Sequence, residues 1–204
     1  MVRDADIPID LETVTETRLV AEALAGSQAA FERIVRRYQR PVISLIARLL
    51  GDRGDRSLAE DLAQETFVKA YLKLSAFDSS RRLSSWLFRI AHNTAIDAMR
   101  RAKVRAPAAG GEPANAAILE EAPAPPSPDP LETQALGRAL DAALGRLRPE
   151  HRAAIALRYE EGLPFEDVAH VLNVPESTAR SYVHRARKQL AAQLTEAGWQ
   201  PSKS

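Results

Sequence analysis

The stretch "LPFEDVAHVLNVPESTARSYVHRARKQL", residues 163–190, decides how the chain is read. A short helical period, Val168, Ala169 and Leu172, stops at Asn173, a residue that tolerates the left-handed backbone conformation better than most. A second helix starts near Pro175 and continues without Gly or Pro to Leu190. This order predicts a helix-turn-helix unit. On the second helix Ala179, Val183, Ala186 and Leu190 fall at i, i+4, i+7 and i+11, one apolar stripe for packing. Ser177, Thr178, Arg180, Ser181, His184, Arg185 and Lys188 lie around the rest of the helix. Arg180, Arg185, Arg187 and Lys188 are opposed only by Glu176. Arginine bonds guanine bidentately and serine bonds several base edges, so this face suits DNA. Arg187 and Lys188, nearer the C-terminal end, suit phosphates.

Working outward, residues 81–105 form a second basic island. Arg81, Arg82, Arg89, Arg100, Arg101, Lys103 and Arg105 stand there against Asp97 alone. The net charge of the 204-residue chain is only +1, so the distribution carries the information rather than the sum. Two basic islands in a nearly neutral chain point to two contacts with one polyanion.

Between the islands, residues 102–130 hold seven of the thirteen prolines and no sustained apolar period. They read as a flexible Pro/Ala-rich linker. The expected organisation is all-α, with a disordered N-terminus at 1–14, a helical domain at 15–101, the linker at 102–130, a helix-turn-helix domain at 131–195 and a tail at 196–204. In the first domain Phe31, Ile34, Val35 and Tyr38 recur at helical spacing after a turn at Gly26-Ser27. Pro41 is expected to kink or restart that helix. Ser57 with Glu60 three residues later suggests a capping box for the next helix. In the second domain Pro149 and Pro164 each sit where a helix would begin.

Several function classes are excluded or disfavoured. There is no cysteine, which removes disulfides, thiol sensing and Cys-ligated metal. The histidines, His92, His151, His170 and His184, form no HExxH pair, and no Gly-rich phosphate loop or nucleophile motif occurs. No catalysis, metal or cofactor is expected. The N-terminus is acidic without an apolar segment, and no apolar run approaches the ~20 residues of a membrane span, so the reading is a soluble cytoplasmic protein.

Three segments together resemble a family. "LRPEHRAAIALRYEEGLPFEDVAHVLNVPESTARSYVHRARKQL" is similar to region 4 of bacterial RNA polymerase sigma factors. "LAEDLAQETFVKAYLKL" resembles their region 2.2, and "SSWLFRIAHNTAIDAMRR" their regions 2.3 and 2.4. The nearest subgroup is the extracytoplasmic-function (ECF) type, which keeps only domains 2 and 4. The resemblance implies core RNA polymerase and promoter DNA as partners, with an anti-sigma factor as regulator. It implies polymerase docking through Glu60, Asp61, Gln64 and Glu65, with Leu62 and Phe67 beside them. It implies reading of the -10 element by Arg89, Asn93, Asp97, Arg100 and Arg101 and by the preceding loop, Phe77, Ser79, Ser80 and Arg81. The -35 element would fall to Ser177, Thr178, Arg180, Ser181, His184, Arg185 and Lys188.

Some points stay open at this level. Asp97 accepts from cytosine N4, orients Arg100 and Arg101, or is a salt-bridging surface residue. Trp86 reads as core, and Phe77 as the better candidate for stacking on a base. The loop has Ser79-Ser80-Arg81 where the family often has Gly, so its base preference does not transfer. A sigma-like decoy that only titrates an anti-sigma factor or polymerase is the alternative function. In the free protein the two domains are expected to move independently or to be held together by an inhibitor.

Overall fold

The computed structural model describes residues 11–51, 56–105 and 130–199. Every regular element among them is helical. Four helices precede the proline-rich segment: α1 (Leu11–Leu24), α2 (Gln28–Leu50), α3 (Arg56–Lys73) and α4 (Leu83–Arg105). Four come after it: α5 (Pro130–Gly145), α6 (Pro149–Ile155), α7 (Phe165–Leu172) and α8 (Glu176–Glu196).

Helix α2 is the hub. Its N-terminus is capped by Ser27, whose Oγ accepts from the Ala30 N–H at 3.3 Å. Ile34, Tyr38, Val42, Leu45, Ile46 and Leu49 form its buried stripe, against which α1, α3 and α4 pack. Pro41 lies inside this helix, which neither stops nor restarts there. Gly51 closes it at φ 55°, a left-handed value that favours glycine. Helix α4 contributes Leu83, Leu87, Phe88, Ala91 and Ala95, all buried. Thr66 is buried without cost to polar satisfaction, because its hydroxyl donates to the Leu62 carbonyl at 2.8 Å.

In the second half Pro149 occupies the first turn of α6, as expected. The chain then widens into a π-helical segment, Ala156–Glu160, which the apolar period did not signal. Pro164 and Pro175 are the N-caps of α7 and α8 rather than their first residues. Asn173 adopts φ 54° and ψ 48° and makes the turn between α7 and α8. The stripe Ala179, Val183, Ala186 and Leu190 is buried along its whole length.

Three expectations are revised. Ser57 lies inside α3, which begins at Arg56, so it does not cap that helix, and Glu60 pairs with Arg56 at 2.9 Å. Helix α4 continues through residues 102–105, taking four residues from the expected linker. The remaining linker, residues 106–129, the first ten residues and residues 200–204 lie outside the described residues. Finally, the two halves touch directly: α7 packs on α4 and α6 on α2, and their apolar residues merge into one cluster.

The turn supplies a test. Asn173→Val forces a β-branched residue into the left-handed region and is expected to cost about 1–2 kcal/mol, whereas Asn173→Gly stays within about 0.5 kcal/mol of the parent. Urea unfolding of the two variants measures the difference.

Candidate nucleic-acid interface

The acidic cluster sits on α3, but its members differ in freedom. Asp61 and Gln64 are exposed. Glu60 is engaged by Arg56, and Glu65 by Lys69 at 2.7 Å and by Arg101 at 4.0 Å. Leu62 and Phe67 do not flank this face; both are buried in the core. Exposed apolar residues take their place. Asp61, Glu65, Val68 and Leu72 fall at i, i+4, i+7 and i+11, so one face carries both acids and apolar side chains. Val68 is 59% and Leu72 73% exposed, and half-exposed Tyr71 leans edge-on against Phe31 of α2. Sequence reading missed this apolar half. An α3 period continuing past the acids with Val68 and Leu72 was its signal.

The loop between α3 and α4 is preceded by a single 3₁₀ turn, Leu74–Ala76. Asp78 organises the loop itself. Its Oδ1 accepts from the Ser80 N–H at 2.9 Å, and its backbone carbonyl from the Arg81 N–H at 3.0 Å. Hydrogen bonds from Ser80, assisted by Arg81, hold the Asp78 carboxyl below its ordinary value. Ser79, Ser80 and Arg81 are thereby displayed to solvent. Phe77 is not a free stacking platform. Its ring lies 5.3 Å from that of Trp86, and both side chains pack, half-buried, against the core.

Along α4, Asn93 and Arg100 are exposed and Asp97 is half-buried. Asp97 Oδ1 accepts from Arg100 at 3.0 Å, and its backbone carbonyl from Arg101 at 3.4 Å. Arg89 shares this face but points to α7. Its Nη1 lies 3.3 Å and 3.2 Å from the two ring nitrogens of His170, and its Nη2 donates to Asn173 Oδ1 at 3.4 Å. A cleft of about 400 Å³ opens between α3 and α4, lined by Lys69, Lys73, Ile90, Asn93, Thr94 and Asp97. Lys69 and Lys73 were not anticipated. They lie at i, i+4 late in α3, and Lys69 donates to Thr94 at 3.1 Å.

On α8 the polar residues lie opposite the buried stripe. Ser177, Arg180, His184, Arg185 and Lys188 are exposed, with Ser181 and Thr178 half-buried between them. Arg180 is held in place: its Nε donates to Glu176 at 3.0 Å, and its guanidinium lies 4.5 Å from the centre of the Phe165 ring. Arg158 approaches the same ring at 4.9 Å. Cation–π contacts of this kind contribute about 0.5–1 kcal/mol at exposed sites.

Two family models match the chain, Sigma-70 region 2 over residues 34–105 and Sigma-70 region 4 over residues 137–190. The first covers α3, the loop and α4; the second covers the helix-turn-helix. The ECF RNA polymerase sigma factor SigW of Bacillus subtilis is 32% identical over 183 residues, spanning 87% of this chain and 95% of that protein. The chain belongs to the ECF sigma factors of RNA polymerase. Sigma factors of this family direct core polymerase to promoters, and the family is not generally catalytic. Two solved structures share the architecture of this sigma factor. CnrH, in complex with the cytosolic domain of CnrY, has a TM-score of 0.61 and 27% identity over 89% of this chain and 98% of its own. RpoE of Bartonella quintana, in complex with the anti-sigma factor NepR, has a TM-score of 0.58 and 25% identity over 80% of this chain and 98% of its own.

The Phe77–Trp86 pair is directly testable. Phe77→Ala removes an aromatic contact of about 0.5–1.5 kcal/mol in addition to buried area. The sigma factor should lose stability by about 2 kcal/mol or more, and the emission of Trp86, read in a Trp199→Phe background, should shift to longer wavelength.

Proposed function

We propose that the three exposed faces divide the work of initiation. The α3 face, Glu60, Asp61, Gln64 and Glu65 together with Val68 and Leu72, docks on core polymerase. The α4 face and its loop, with Ser79, Ser80, Arg81, Arg89, Asn93, Asp97, Arg100 and Arg101, engages the -10 element. Phe77 supports this loop from below rather than stacking on a base. The outer face of α8 reads the -35 element, with Arg180, Ser181, His184 and Arg185 toward base edges and Lys188 toward phosphate. Ser177 and Thr178 stand where the helix enters the groove.

The observation that carries this division is on α8. A fully buried apolar stripe fixes the helix on the fold, and the opposite face presents exposed hydroxyl and cationic side chains. Such a surface has no packing task and matches the chemistry of a major groove. The protein acts by binding, without catalysis, where polymerase and chromosome meet in the cytoplasm. An anti-sigma factor is the expected regulator. RpoE, which shares this architecture, is captured with the anti-sigma factor NepR bound, which supports that reading.

In vitro transcription with core polymerase tests the assignment. Promoter-specific transcripts are expected only when both are present, and sequence-specific duplex binding by the free chain without effect on polymerase would refute it. Within that assay, Arg180→Ala should lose about 1–3 kcal/mol of preference at particular base pairs. Lys188→Ala should weaken all promoters alike and lower the salt slope by about one. Phe165→Ala, which removes the ring under Arg180, should resemble Arg180→Ala in base preference. Reversing Asp61 and Glu65 to Lys should abolish polymerase binding while helical content, read by circular dichroism, is retained.

A further inference from the structure

Arg158 lies outside α8, in a stretch of unusual backbone. It sits inside the π-helical segment Ala156–Glu160, where the Glu161 N–H donates to the Ala156 carbonyl at 3.1 Å, five residues back. The Leu163 N–H then donates to the Leu157 carbonyl at 3.0 Å. Leu157 is fully buried and fixes this wide turn to the core. Single π turns inside helices are rare, and they recur at functional sites. Two contacts hold the half-buried Arg158 side chain. Its Nη1 donates to the Leu163 carbonyl at 2.8 Å, and its guanidinium stands 4.9 Å from the centre of the Phe165 ring. Only Pro164, the N-cap of α7, separates Leu163 from Phe165. Arg158 therefore grips both the carbonyl before that cap and the ring after it.

The same ring carries Arg180 at 4.5 Å. Phe165 is half-buried and packed against the core, so the ring is a fixed surface. Nε and Nη2 of Arg180 both donate to one oxygen of Glu176. Its Nη1 has no hydrogen bond among the described residues, which leaves the outer end of the guanidinium open. That end presents two parallel donors, the arrangement that reads a base edge bidentately. The direction it faces is set by the ring and by Glu176. Every member of this chain of contacts, from Ala156 to Arg180, belongs to the second half of the molecule, so it does not depend on how the halves are placed.

We propose that Arg158 is a positioning residue for promoter reading. Held by the π turn and the Leu163 carbonyl, it fixes the Phe165 ring on which Arg180 rests, and so sets the direction in which Arg180 meets its base pair. The proposal rests on the assignment of the outer face of α8 to the -35 element. Arg158 touches no base itself. Its effect falls on which base pair is preferred, and the hold on the duplex as a whole is unchanged. A long side chain ordered in advance loses less entropy when it meets its target, and that advantage is what Arg158 supplies to Arg180.

The full-length chain is mixed with core polymerase and a promoter library randomised over both elements, and the transcribed sequences are read out. Arg180→Ala should flatten preference at one or two -35 base pairs. Arg158→Met, which keeps an apolar stem of similar length, should lower preference at those same base pairs by about 2–5-fold, the equivalent of one exposed cation–π contact. Other positions, salt dependence and helical content should not change. Arg158→Lys, which keeps the cation, should restore most of the preference. In the double variant Arg158→Met/Arg180→Ala the first change should add nothing, because no guanidinium is left to position. Unchanged preference, additive effects, a uniform loss across all -35 sequences, or a salt slope lowered by about one overturns the proposal and makes Arg158 a scaffold residue or a phosphate contact. Failure of the underlying assignment reads differently. Arg180→Ala would then leave every -35 base pair unchanged, and the proposal would fall with it.

Discussion

A single guanidinium holds together the ends of two helices that belong to different halves of the chain. Arg152 takes the Gly145 carbonyl at 2.9 Å and the Leu144 carbonyl at 3.4 Å from the end of α5, and the Leu49 carbonyl at 3.1 Å from the end of α2. Helix C-termini leave carbonyls without intrahelical partners and carry partial negative charge, so a cation is favoured there. Burying that cation is costly unless its donors are satisfied. The position of α6 relative to α2 is therefore specified by hydrogen-bond geometry as well as by apolar contact. Around this point Arg48 adds a second cation, shared between Asp141 and Glu160. The rest of the interface is α7 on α4, where Arg89 meets His170 and Asn173.

The same economy recurs at the functional faces, where charged residues rarely act alone. Asp97 steadies Arg100, Glu176 and Phe165 steady Arg180, and Asp78 shapes the loop that displays Ser79, Ser80 and Arg81. Each support is a local contact, within four residues or between adjacent helices. A long side chain ordered before binding loses less entropy on contact with its target. The carboxylates inside the basic islands thus hold neighbouring cationic side chains and loop backbone in place.

Much of this was legible in the sequence, for reasons that can be named. The stripe from Ala179 to Leu190 and the turn at Asn173 are periodic and local, so they could be read without the fold. The acidic cluster on α3 was visible, but its apolar half was not. Exposed Val68 and buried Phe67 look alike until the helix is placed against a neighbour. Ser57 matched a capping pattern and was overruled by a helix that starts one residue earlier. Phe77 read as a free aromatic because its partner, Trp86, lies across a turn. The contact of Arg89 with α7 was beyond reach in principle. It joins residues more than eighty positions apart across a segment that carries no periodic signal.

The two helices proposed to read the promoter, α4 and α8, differ in how freely their sequences can drift. Ser177, His184 and Lys188 on the outer face of α8 are exposed, so exchanges there leave the core untouched. Arg89 has a second task inside the molecule, and any replacement is judged by its effect on the packing of α7 as well as on DNA. On the proposed assignment, selection therefore meets less resistance at the -35 face than at Arg89. On that assignment, duplicated descendants of such a chain would change their -35 preferences more readily than their -10 preferences.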